Sequence, residues 1–74
     1  MTARALCMVN IDVPLSIAEE FTGVEEMALQ VRDAVENILD SNTTVHVRVY
    51  ENPGDKEPIS WARLGPGQRK AVKP

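Results

Sequence analysis

Hydrophobic and polar residues alternate most clearly over residues 43–52, TTVHVRVYEN. Val45, Val47 and Val49 fall on one side of an extended strand, and His46, Arg48 and Tyr50 on the other, because strand side chains alternate with period two. The valines are expected to face a core, in a strand over 44–51. Residues 4–13, RALCMVNIDV, carry a second alternation. Ala5, Cys7, Val9, Ile11 and Val13 form an unbroken apolar face, while Arg4, Leu6, Met8, Asn10 and Asp12 form a mixed one. Pro14 cannot donate to a ladder and should end this strand.

Between the strands the period changes to that of a helix. Val24, Met27, Ala28, Val31, Val35 and Ile38 follow the i, i+3, i+4, i+7 spacing of one buried stripe. Glu26, Gln30, Asp33, Asn37 and Asp40 lie on a polar stripe. Ser16-Ile-Ala-Glu19 and Thr22-Gly-Val-Glu25 both fit the capping box, in which a hydroxyl and a glutamate satisfy orphan backbone donors. Gly23 inside a helix would cost about 1 kcal/mol relative to alanine. The pattern therefore predicts a short helical piece at 16–21 and a main helix at 23–40, with Asn42 able to take a left-handed C-terminal conformation. Asn52-Pro53-Gly54-Asp55 signals a turn, and Pro58 to Leu64 is expected to return as a short third strand.

The expected fold is α+β: a small β-α-β-β domain over 1–64, with one amphipathic helix on one face of a three-stranded mixed sheet. The two long strands should run parallel, because a helix connects them. Residues 65–74, GPGQRKAVKP, have little to bury and are expected to form a mobile basic tail unless a partner orders them. Three strands make a sheet about 14 Å wide, which one helix of about 10–12 Å nearly covers on one side. The opposite side would display Leu6, Met8, His46, Arg48 and Tyr50. A surface this apolar is expected to be covered, most simply by another subunit.

Size sharpens that expectation. A chain of 74 residues buries only ~60 % of its unfolded surface, and a lone core of this size supplies ~3–5 kcal/mol. Cys7 is the sole cysteine and His46 the sole histidine, which argues against an internal disulfide or a structural zinc site; no cofactor is expected. Self-association is the remaining supplement. Cysteine usage fits a reducing, cytoplasmic location, and no apolar run approaches the ~18 residues of a membrane span.

Charge is divided along the chain. Residues 1–40 hold two basic and eight acidic residues, net −6, and residues 41–74 hold six basic and three acidic, net +3. The helix acids Glu19, Glu20, Glu25, Glu26, Asp33, Glu36 and Asp40 are strung out rather than closed around a point, so a solvated face is expected instead of a cation site. His46 is a possible general acid or base, provided that a carboxylate such as Asp12 orients it. Cys7 has no neighbouring base in sequence and reads as a packing residue. Arg48, Arg63, Arg69, Lys70 and Lys73, with Tyr50 and Trp61 as stacking platforms, are the candidates for contact with nucleic acid. Three tail charges alone would give a salt slope of only about −2 to −3.

The stretch QVRDAVENILDSNTTVHVRVYENPGDKEPISWARLGPG, about half of the chain, resembles the short-subunit tautomerase superfamily in its valine-rich strand ending in Glu51 and its aromatic before a glycine-rich end. The resemblance implies an oligomer and an amino-terminal proline acting as acid or base. This chain has Thr2 after Met1, a longer loop before Trp61 and an offset first strand; His46 stands where a basic residue of that family aligns. Three readings follow in order. The first is a non-enzymatic interaction module that self-associates and binds a protein partner through Leu6, Met8, His46, Arg48, Tyr50 and Trp61. The second is a weak nucleic-acid-associated protein, and the third a tautomerase-like oligomer without its proline.

Overall fold

The computed structural model describes residues 5–73, in the order β1 (Ala5–Pro14), α1 (Leu15–Ala18), α2 (Val24–Leu39), β2 (Ser41–Tyr50) and β3 (Ser60–Leu64). The fold is α+β, with one mixed sheet in the order β1-β2-β3 and a helix packed against it. β1 and β2 run parallel, from Ala5 opposite Ser41 to Pro14 opposite Tyr50. β3 returns antiparallel, with Val47 opposite Ala62 and Arg48 opposite Trp61. The alternation in β2 sets the core: Val45, Val47 and Val49 are buried together with Met27 and Ala28 of α2 and Ala62 and Leu64 of β3.

Element ends depart from the sequence pattern in instructive ways. β2 begins at Ser41, because the Ser41 and Thr43 hydroxyls are buried and hydrogen-bond each other at 2.8 Å. The left-handed residue that ends α2 is therefore Asp40, at φ 50°, rather than Asn42. Aspartate is among the few residues that visit this region readily. Neither capping box forms: α1 is a single turn begun by Pro14, and Gly23 is the extended N-cap of α2 instead of an interior residue. Glycine is accepted at that position at little cost. The Asn52–Asp55 turn forms as expected, with the Asp55 amide donating to the Asn52 carbonyl and Gly54 at φ 89°.

The helix stripe is also displaced. α2 lies over β2 and β3 and leaves the inner face of β1 only half covered. Cys7, Val9 and Ile11 share that face but are half-buried, so Cys7 is not a core residue. Ile38 overhangs the sheet and is 77 % exposed. In its place Arg32 is buried, with its side chain 8 % exposed.

Arg32 ties the layers together. Its Nη1 donates to the Gly65 carbonyl at 2.8 Å and to that of Gln68, and its Nη2 donates to Asp33 Oδ1 at 3.0 Å. Glu36, one turn further along α2, accepts from the Thr43 amide at 2.9 Å. The segment expected to form a mobile tail is thereby tethered at several points. Gly65 N–H donates to Gln68 Oε1, Val72 exchanges two backbone hydrogen bonds with Arg63 at 2.8 Å each, and Lys73 pairs with Glu25. Between these tethers, residues 66–70 are exposed.

Two outcomes are expected. Val47→Ala removes two buried methyl groups from a site with no exposure and should cost about 2–3 kcal/mol in urea denaturation. Arg32→Ala should cost about 1–3 kcal/mol by leaving two carbonyls without their donor. It should also accelerate amide exchange at Val72 more than at Val47.

Candidate interaction surface

The pleat that sends the valines inward sends five β2 side chains to the uncovered face, and the register assembles their neighbours into rows. Leu6 stands beside Asn42 and Met8 beside Thr44. Asn10, His46 and Arg63 form the next row, then Asp12, Arg48 and Trp61, then Pro14 and Tyr50. All six residues expected at a partner surface, Leu6, Met8, His46, Arg48, Tyr50 and Trp61, thus occur on one sheet face. No described helix covers this face, and Leu6 and Met8 are 83 % and 68 % exposed.

The rows differ chemically from one end to the other. At the Leu6–Met8 end the face is apolar. In the middle, Arg48 grips Asp12 in a bidentate pair, Nε to Oδ1 at 2.7 Å and Nη2 to Oδ2 at 3.1 Å. Parallel register makes this pair possible, since the two residues are directly opposite. His46 and Trp61 lie on a diagonal and meet edge to face, with ring centres 5.6 Å apart, a favourable aromatic arrangement. Trp61 is therefore half-buried against His46 on the open face. Arg63 has no side-chain hydrogen bond or ion pair among the described residues.

A groove of about 640 Å³ runs along this part of the face. His46, Arg48, Trp61 and Arg63 form its floor, while Pro58 of the hairpin loop and Gln68 and Val72 of the folded-back tail contribute to its lining. Tyr50 lines a second cavity of about 350 Å³ at the Pro14 end. Leu6 and Met8 lie outside both cavities, on β1. Of the five cations expected to contact nucleic acid, Arg48 and Arg63 reach the groove; Arg69, Lys70 and Lys73 do not line it, and Lys73 is held by Glu25.

The carboxylate that might have oriented His46 is engaged elsewhere, since both Asp12 oxygens face Arg48. No group of three or more histidine, cysteine or acidic side chains among the described residues is placed to hold a metal ion. No described helix is long and apolar enough to cross a membrane. Sequence reasoning missed Gln68 and Val72 as groove residues because their position depends on Arg32, which reads on the helix as one more surface charge. No family model, curated protein or solved structure matches the chain.

The Asp12–Arg48 pair is roughly half exposed at both partners, where such pairs contribute about 0–1 kcal/mol. Asp12→Asn should therefore leave the urea midpoint nearly unchanged. Its visible effect should be a freed Arg48 and tighter binding of acidic peptides to the groove by fluorescence titration of Trp61.

Proposed function

We propose that this chain is a small non-enzymatic interaction module, regulatory or structural, that self-associates and docks a protein partner through its open sheet face. The observation that carries the reading is the uncovered face itself. Its exposed Leu6 and Met8 adjoin a groove containing His46, Trp61 and an unpaired Arg63. An apolar patch beside polar and aromatic groups is how docking surfaces on small proteins are usually built. The core supports the same reading: seven buried apolar side chains among the described residues are few for a free-standing domain, and covering the face would add to them.

Within this reading the two ends of the face divide the work. The apolar end suits contact with another copy. The Trp61–Arg63 groove suits a partner segment that brings a carboxylate and an apolar side chain, because aromatic and arginine side chains together make strong anchor points.

The nucleic-acid reading draws on one observation, the placing of unpaired Arg63 beside Trp61. It is the weaker reading, because Asp12 and Glu25 already neutralise Arg48 and Lys73. The tautomerase-like reading has no carboxylate at His46 to support it, and Thr2, which replaces the proline, lies outside the described residues.

Light scattering coupled to size exclusion tests the proposal. Wild-type chain should show a mass above 8.2 kDa that falls with dilution. Leu6→Asp should reduce the assembly to single chains, and Tyr50→Ala should weaken it or abolish partner capture. Two variants with unaltered mass and unaltered partners would exclude the open face as the contact.

A further inference from the structure

Among the exposed features, the outer edge of β1 makes the most specific chemical demand. Among the described residues β1 pairs only with β2. In a parallel ladder alternate residues bond to the neighbour, so the remaining N–H and C=O groups of this ten-residue strand point away from the sheet. The opposite edge is different: there Val72 of the tail bonds Arg63 on the outer side of β3.

β1 also lacks the features that normally protect a free edge. Its pairing with β2 is continuous, without a bulge. Its proline is the last residue, it has no lysine, and its one charge, Asp12, is held by Arg48. Free edges without charges, bulges or interior prolines recruit further strands.

The chemistry of the strand specifies its occupant. Residues 5–9, ALCMV, are apolar at every position. α2 does not reach over their inner side, leaving Cys7 and Val9 half-buried, and nothing covers Leu6 and Met8 on the other side. A strand pairing here must be apolar on both faces. β2 and β3 each carry polar residues on their outer face, so among the described strands only β1, over residues 5–9, is apolar on both faces.

We infer that two copies join edge to edge through β1, antiparallel and around a two-fold axis at Met8, to form one six-stranded sheet. This rests on the self-association proposed above and moves its contact from the open face to the β1 edge beside it. An axis normal to the sheet keeps both helices on one side. Directly opposite residues then have numbers that sum to an even value. Centring on Met8 sets Met8 against Met8, Cys7 against Val9, Ala5 against Ile11 and Leu6 against Asn10 of the second copy. Leu6 falls diagonally beside the second Met8, within reach of contact. Asp12 stays outside the overlap. Centring one residue later would set Leu6 against Asp12 and Met8 against Asn10, a poorer match, and centring one residue earlier would match apolar residues but shorten the described overlap from residues 5–11 to residues 5–9.

Hydrogen exchange on wild-type chain, at concentrations above and below the association midpoint found by light scattering, tests the edge directly. Alternate β1 amides should exchange quickly in dilute chain and become about tenfold or more protected when concentrated. A second measurement fixes the register. Cys7→Ser/Met8→Cys should form an intermolecular disulfide under mild oxidation, because opposite antiparallel residues are about 4.5–5.5 Å apart at Cα. Cys7→Ser/Asn10→Cys should not, since its sulfurs would be about 13 Å apart along the strands. An assembly whose alternate β1 amides exchange equally fast at both concentrations would overturn the edge contact and leave self-association through the open face. A single chain at every concentration would overturn both.

Discussion

One helix has to shield three strands. A helix about 10–12 Å across cannot fully roof a sheet about 14 Å wide, and where it settles determines the rest of this molecule. α2 lies over β2 and β3, so the core gathers around Val45, Val47, Val49, Ala62 and Leu64. β1 is left with one half-covered face, one open face and a free edge. These are consequences of the same placement, and they concentrate the unsatisfied surface of the molecule on its first strand.

Arg32 holds the helix in that place. A buried guanidinium is costly unless its donors are used, and here Gly65, Gln68 and Asp33 use them. The bonds cross from the helix to the chain beyond β3, which brings Gln68 and Val72 alongside the groove. A core contact on one side of the sheet thereby shapes a wall on the other. Geometry of this sort couples the stability of the domain to the form of the groove.

Much of this was legible in the residues. Period-two alternation over 43–50 and 5–13 and the helical spacing over 24–35 are strong signals because each reports a face that must be buried. They give the element order, the mixed sheet and the membership of the open face. What sequence alone did not reveal depended on tertiary partners. Gly23 became a cap because the chain enters α2 extended; Ser41 and Thr43 joined β2 because their hydroxyls satisfy each other. Arg32 entered the interior because two backbone carbonyls some thirty residues away await it. Trp61 was readable as a partner-surface residue, but its edge-to-face contact with His46 was not, since that depends on the register of the hairpin. The groove was the least legible feature, being made by a tail with almost no hydrophobic pattern of its own.

The tail has one more consequence, concerning how far an assembly can grow. A sheet with two equivalent open sides can add copies on both and has no reason to stop. Here the two sides are unlike. Val72 lies along β3 and satisfies part of its outer backbone, while Pro14 and the single turn of α1 close off the far end of β1. Addition through a two-fold uses up the remaining open side in both copies at once. In the pair proposed above, residues 65–73 would thus act as a terminator, making it a finished object rather than the first step of a filament.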